Sequence, residues 1–192
     1  MRKIVFDIET RNIFEDVGKA DPALLDISLV GVFDSETNEY SSYLVEDLPK
    51  LWPLLEKADV LITFNGDHFD IPLLNKYYHG DLTKIRSLDI LVEFRKALGR
   101  RIGLGNIAEA TLGIGKSSNG LQAVEWWKKG DIENIRKYCL QDVKVTKDVY
   151  EYALKHKKLK YKDGDNIKSV IIDTKDWETA DNNNAMTFSL PF

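Results

Sequence analysis

Residues 3–10, near the start of the 192-residue chain, read Lys-Ile-Val-Phe-Asp-Ile-Glu-Thr. The first five of them combine β-branched and aromatic side chains, which predicts a short, buried first strand over residues 3–7. Residues i and i+2 of a strand point to the same face, so Asp7 and Glu9 project together from the end of this strand. Two carboxylates in that arrangement can share metal ions.

Beyond this strand, the apolar residues alternate between the spacing typical of strands and the spacing typical of helices. The later strands are predicted at residues 28–33, 39–45, 60–64 and 85–88. The helices are predicted at residues 48–58, 69–78, 89–98, 105–112, 121–129 and 131–155. Three strands, then alternating helices and strands, then helices, indicate an α/β fold with a mixed β-sheet flanked by helices.

The sequence changes character after residue 155. Residues 159–162 and 168–172 flank Asp-Gly-Asp-Asn at 163–166, which predicts a small β-hairpin. Asp-Asn-Asn-Asn at 181–184 predicts a flexible polar linker. The predicted organisation is therefore a main domain at residues 1–155, a hairpin appendage at 156–176 and a flexible tail at 177–192.

Composition and charge exclude some classes of protein. A net charge of -4 gives no overall attraction to nucleic acid, so such contacts must come from local basic runs such as residues 95–101 and 155–162. A solvated charged face explains either run equally well. The single cysteine, Cys139, excludes an internal disulfide and is expected to be a buried, inert thiol. The start of the chain lacks a signal-peptide pattern, and we expect a cytoplasmic protein.

Two further segments supply acidic residues to the strand end that carries Asp7 and Glu9. Asp70 follows the strand at 60–64, where the chain turns into a helix and where ligands commonly gather. Tyr138 and Asp142 are four residues apart in a predicted helix and therefore share one face. Carboxylates gathered in this way are costly unless divalent cations neutralise them. Oxygen ligands favour Mg²⁺ or Mn²⁺, and no Cys/His group offers a zinc site.

In their order and placement, these motifs resemble the DEDD superfamily of 3'-to-5' exonucleases, which has a ribonuclease H-like fold. The three motifs are matched by residues 6–10, 65–72 and 138–142. Tyr138 marks the tyrosine subclass, because the histidine subclass has His at the position of Lys137. The second and third motifs are also similar to the proofreading domains of family-B DNA polymerases and to standalone predicted exonucleases, as is the segment at 103–116.

The resemblance implies an enzyme that removes 5'-monophosphates one at a time from the 3' end of DNA, using two Mg²⁺ or Mn²⁺ ions. It implies that Asp7 bridges both ions and that Glu9 and Asp142 complete the tighter site. Asp70 would hold the second ion, and Tyr138 would position the attacking water. A 3'-to-5' exoribonuclease and a non-catalytic module that binds nucleic acid or a sliding clamp are the alternatives.

Several residues beside these motifs have competing interpretations. Thr10 belongs to the first motif and is expected to contact the substrate. Asn65 is expected near the substrate or in a turn role, and Phe69 in the core or as a wedge beside the substrate. The helix caps are predicted at Asp67 and Asp89. His68 is expected to face solvent, and at least one of Trp126 and Trp127 is expected to pack in the core while one stacks on a terminal base.

The end of the chain reads Thr187-Phe188-Ser189-Leu190-Pro191-Phe192. It resembles the peptides of the type Gln-Leu-Ser-Leu-Pro-Leu with which replication and repair proteins bind the bacterial sliding clamp, although Thr187 stands where glutamine is expected. A tethered peptide could present its apolar side chains to a groove on the clamp. The alternative is that this segment buries those side chains on its own domain.

Overall fold

The computed structural model describes residues 1–115 and 120–179. The predicted linker at 181–184 and the clamp-type peptide at 187–192 lie outside the described residues. Within the described part, no helix is long and apolar enough to cross a lipid bilayer.

A five-stranded sheet forms the centre of the molecule. Its strands are β1 (Lys3–Thr10), β2 (Ile27–Asp34), β3 (Glu39–Leu44), β4 (Val60–Thr63) and β5 (Ser87–Asp89), in the spatial order β3-β2-β1-β4-β5. Strand β2 runs antiparallel to both β1 and β3, whereas β4 runs parallel to β1 and β5 runs parallel to β4. The predicted α/β arrangement with a mixed sheet is therefore confirmed.

Within residues 1–115 and 120–179, seven α-helices connect and cover these strands. They are α1 (Phe14–Val17), α2 (Leu48–Glu56), α3 (Asp70–Asn75), α4 (Ile90–Leu98), α5 (Leu104–Leu112), α6 (Gly120–Lys128) and α7 (Ile132–His156). The prediction for α3 was too long, because Lys76 and Tyr77 make i to i−3 hydrogen bonds that tighten and end the helix. The sequence analysis also missed α1, a single turn.

Strand β1 continues three residues beyond its predicted end. The extension occurs because β2 keeps pairing with it, Ile8 with Val30 and Glu9 with Leu29. Along β1, the side chains of Ile4, Phe6 and Ile8 enter the core beneath α2 and α3. The alternate face carries Val5, which packs in the core formed with α7, and the carboxylates that follow in the same register therefore face α7.

The predicted C-terminal hairpin is present as β6 (Lys158–Asp163) and β7 (Asn166–Ile171). Leu159 and Tyr161 of β6 are buried in the same core as the helix α7. After the hairpin, the Trp177 ring stacks on Tyr150, with ring centroids 5.4 Å apart. The chain then reaches the amino end of β1, where Glu178 pairs with Lys3 at 2.7 Å.

Candidate active site

The carboxyl ends of β1 and β4 face α7 across an open cleft of about 470 Å³. Every residue predicted for the site lines this cleft: Asp7, Glu9, Thr10, Asn65, Phe69, Asp70, Tyr138 and Asp142. A volume of a few hundred Å³ accommodates a small ligand such as a mononucleotide. The structure thus brings together the residues that the sequence had proposed from three distant segments.

A glycine in β2 allows α7 to approach the sheet at this point. Gly31 pairs with Asp7 across the two strands, and a Cβ atom on Gly31 would lie 2.8 Å from the Cys139 Sγ of α7. Real Cβ contacts are essentially never that short. Cys139 is buried, as predicted, and its thiol donates a hydrogen bond to the Asp7 carbonyl at 3.4 Å. Close helix–strand packing therefore fixes the side of the cleft that carries Tyr138 and Asp142.

The buried carboxylate of Asp89 holds the loop that carries Asn65 and leads into Asp70, the first residue of α3. It accepts hydrogen bonds from the backbone N–H groups of Asn65 at 2.8 Å and Asp67 at 3.2 Å. It also accepts from Leu91 at 2.9 Å, which confirms the predicted cap of α4. One side chain therefore ties the start of α4 to the loop between β4 and α3.

Asn65 itself adopts a left-handed backbone conformation with φ 72°, which asparagine tolerates better than most residues. The prediction that Asp67 caps α3 is wrong. Its carboxylate accepts a hydrogen bond from the Ser87 hydroxyl, and α3 has no side-chain cap. His68 is exposed, as predicted.

The carboxylates of the cleft repel one another. Burial raises the pKa of Asp7 well above its usual value, and the charges of Glu9, Asp70 and Asp142 raise it further. Glu9 is only 6% exposed, and its pKa is also raised, first by burial and then by the charges of Asp142 and Asp70. Among the described residues that line the cleft, none is a lysine or an arginine. The side chains that line the cleft therefore do not neutralise the carboxylates, and a cationic ligand could do so.

Asp70 is held at the same cluster by backbone hydrogen bonds. Burial and the charge of Asp89 raise its pKa to about 7, although hydrogen bonds from its own N–H and that of Ile8 oppose the shift. Since Ile8 lies between Asp7 and Glu9 in β1, this contact ties the Asp70 carboxylate to the strand that carries the other two. The contact joins the start of α3 to β1 at the cleft.

Tyr138 presents a protonated hydroxyl to the cluster. Its pKa is raised by burial, by the charges of Asp142, Glu9 and Asp7, and by a hydrogen bond with Asp142. The Trp126 ring meets the Tyr138 ring edge-on, with centroids 6.0 Å apart. A phenol that stays protonated at neutral pH can donate a hydrogen bond to a reacting oxygen.

The two adjacent tryptophans, Trp126 and Trp127, make different contacts. Trp126 lies against Tyr138, whereas the Trp127 ring lies beneath the Arg11 guanidinium at 4.5 Å. Both are partly buried and pack against a small core formed by Leu29, Ile135 and Cys139. The expected core role is therefore confirmed for both rings, while base stacking stays a prediction.

The donor set fits a hard divalent cation. Ligand atoms of Asp7, Glu9 and Cys139 lie within 4.8 Å of one another. Carboxylate oxygens suit Mg²⁺ and Mn²⁺. The carboxylates of Asp70 and Asp142 are close enough to interact electrostatically with Asp7. The Cys139 thiol is the less suited donor, because burial raises its pKa well above the usual value and keeps it protonated.

Sequence analysis missed part of the cleft wall. Asn12, Phe14 and Leu121 also line it, and Leu121 at the start of α6 is 60% exposed. No motif or periodicity distinguishes these three residues. Gly31 was missed too, although a glycine between apolar residues in a strand can indicate that another backbone approaches closely.

Comparisons with known proteins agree with this geometry. A model of the RNase_H superfamily, RNase_H_2, matches residues 4–154. The fold is similar to that of the family B DNA polymerase from the hyperthermophilic archaeon Pyrobaculum calidifontis, with a TM-score of 0.60 and 19% sequence identity. The similarity covers 80% of this chain and only 24% of the polymerase. No curated protein matches the chain by sequence.

Proposed function

The chain belongs to the RNase H superfamily, and on that premise we propose that it is a 3'-to-5' exonuclease that acts on DNA. It would release nucleoside 5'-monophosphates from single-stranded or frayed 3' ends. The observation that carries this proposal is the cluster of Asp7, Glu9, Asp70 and Asp142, which repel one another beside the Tyr138 hydroxyl. Such perturbed groups in a cleft are typical of functional sites.

Four carboxylates would hold the divalent ions. In this proposal Asp7 would contribute to both Mg²⁺ or Mn²⁺ sites, Glu9 and Asp142 would complete one of them, and Asp70 would serve the other. When bound, such a pair of ions activates water and stabilises the leaving oxygen of a phosphodiester. The backbone contacts of Asp70 and the strand pairing of β1 hold these oxygen ligands before any ion arrives.

The remaining residues of the cleft would orient water and substrate. The protonated Tyr138 hydroxyl would donate a hydrogen bond and position the attacking water. Thr10 and Asn65 would offer polar groups to the terminal nucleotide from the carboxyl ends of the parallel strands β1 and β4. Phe69, half-buried and in edge-on contact with Phe14 at 6.1 Å, would pack against its base.

A digestion of labelled strands tests this proposal. Matched 5'-labelled single-stranded DNA and RNA are incubated with Mg²⁺ or Mn²⁺, with Asp7→Asn as the matched control. We expect a DNA ladder that shortens from the 3' end and is absent in the control and in EDTA. Preferential shortening of RNA would identify an exoribonuclease. No shortening of either strand, with metal bound, would identify a non-catalytic module.

We also propose that residues 187–192 bind a sliding clamp, on the strength of their resemblance to clamp-binding peptides. Deletion of residues 187–192 should abolish co-elution with the clamp, and unchanged co-elution would contradict the proposal.

A further inference from the structure

The acidic cleft repels the nucleic acid strand proposed above as its substrate. The inference below rests on that proposed function. A nucleic acid strand brings one negative charge per nucleotide to a cleft whose described lining contains carboxylates and no cationic side chain. Metal ions offset part of that repulsion near the reacting phosphate. The phosphates farther along the strand need positive side chains at the rim of the cleft.

Arg101 is a cation that touches this rim. Its Nη2 group donates a hydrogen bond to the side-chain oxygen of Asn65 at 2.5 Å. Asn65 lines the cleft, and its backbone is fixed by Asp89 and by the left-handed conformation. The guanidinium of Arg101 is therefore held at one end of the cleft by a neutral partner, which leaves its charge uncompensated by that contact.

The neighbouring arginine has a different environment. Arg100 pairs with Asp163 at 2.8 Å and lies over the Tyr161 ring of the hairpin at 5.5 Å. By contrast, within residues 1–115 and 120–179 the side chain of Arg101 contacts the neutral Asn65 and forms no ion pair. Two adjacent residues thus serve different purposes, since the charge of Arg100 is used within the fold and that of Arg101 faces solvent beside the cleft.

We propose that Arg101 binds a backbone phosphate of the strand that enters the cleft, and that Asn65 holds the guanidinium ready for it. Within the basic run at 95–101, Arg101 is then the residue that contacts the lining of the cleft. Lys96 of the same run is paired with Glu93 at 2.6 Å on the surface of α4. A guanidinium suits this task, because its planar fork of N–H groups matches the oxygens of a phosphate.

The test compares three variants of the full chain: Arg101→Ala, Arg101→Lys and Arg100→Ala. Cleavage kinetics are measured on 5'-labelled single-stranded DNA across a series of salt concentrations. We expect Arg101→Ala to raise KM roughly tenfold and to lower the salt dependence of binding by about one phosphate contact, with kcat unchanged. Arg101→Lys should keep the salt dependence with a smaller rise in KM, and Arg100→Ala should behave as the wild type.

If the wild type cleaves DNA and the Arg101→Ala and Arg100→Ala variants have equal KM values, the inference about Arg101 is overturned while the proposed activity stands. If the wild type cleaves no strand, the proposed activity fails, and the anisotropy of the labelled strand in Ca²⁺ then tests Arg101 independently. Weaker binding by Arg101→Ala than by Arg100→Ala would support the phosphate contact. Equal binding by both variants would overturn it. Thermal melting of each variant checks that the fold is intact.

Discussion

The two ends of β1 differ in whether their charged side chains are paired with opposite charges. At the amino end, Arg2 pairs with Asp34 at 2.5 Å, and Lys3 pairs with Glu178 at 2.7 Å. At the carboxyl end, four to seven residues farther along the chain, Asp7 and Glu9 face other carboxylates across the cleft. Asp34 and Glu9 are both buried beside the same strand, so the difference does not arise from burial alone.

The pKa shifts of the two ends have opposite directions. Burial acts to raise the pKa of Asp34, but hydrogen bonds from Arg2 and from the Glu36 N–H bring it below its usual value. The pKa of Asp7 is raised by burial and raised again by its neighbours. A carboxylate that is paired contributes to stability, whereas carboxylates held together without a counter-charge lower it and indicate a binding site.

The largest expected effect comes from exchanging one carboxylate at the acidic end. Asp7→Asn should reduce cleavage by roughly a thousandfold or more, because a metal ligand contributes several kcal/mol to the transition state. It should leave the thermal midpoint in EDTA unchanged or higher, since it removes a repelling charge. Cleavage assays and calorimetric melting measure the two effects.

The matched control lies at the paired end of the strand. Asp34→Ala should lower the free energy of unfolding by about 2 kcal/mol, because it removes charge-assisted hydrogen bonds, and should leave cleavage unchanged. If Asp7→Asn and Asp34→Ala lost the same stability and the same activity, the contrast between the two ends of β1 would be contradicted.

A second prediction concerns the packing that holds α7 against the cleft. Gly31→Ala should lower the free energy of unfolding by about 1–3 kcal/mol, because its Cβ would meet the Cys139 Sγ. Cleavage should fall with it, since Tyr138 and Asp142 shift with the helix. Adding Cys139→Ala removes the contacting sulfur and should restore part of both losses. Additive losses in the double variant would show that the two residues do not interact.

The sequence predicted the parts of the site that follow from regular periodicity. The period of two along β1 placed Asp7 and Glu9 together, and the helical period placed Tyr138 above Asp142. The order of elements predicted the mixed sheet, the turn from strand to helix predicted Asp70, and the resemblance added the ribonuclease H-like type of fold. The network at Asp89 was predicted only as a helix cap, because its bonds to Asn65 and Asp67 join segments more than 20 residues apart. Asp67 was assigned the wrong partner for the same reason.

A third prediction isolates the hydroxyl of Tyr138. Tyr138→Phe should reduce kcat roughly tenfold, which corresponds to the loss of about one hydrogen bond in the transition state. The affinity for Mn²⁺ should not change, because the phenol is not assigned as a ligand. Single-turnover cleavage and metal titration separate the two quantities. Wild-type rates in this variant would refute the role assigned to Tyr138.

The smallest expected effect is a dependence of metal-free stability on pH. Asp70 has a pKa of about 7 in the folded chain, above its usual value in an unfolded one, so the folded state binds more protons between these values. The metal-free protein should therefore lose stability as pH rises from about 4 to about 7. Melting in EDTA measures this slope, and Asp70→Asn should reduce it. An unchanged slope in that variant would assign it to other groups.

A calorimetric titration of the wild type with Mn²⁺ at about pH 7.5, with Asp7→Asn as the control, tests most directly whether the repelling carboxylates form a metal site. We expect saturable binding to the wild type, accompanied by proton release and a raised melting temperature, and greatly weakened binding to the variant. Absence of saturable binding to the wild type, or equal binding to the variant, would contradict a metal centre at the carboxyl end of β1.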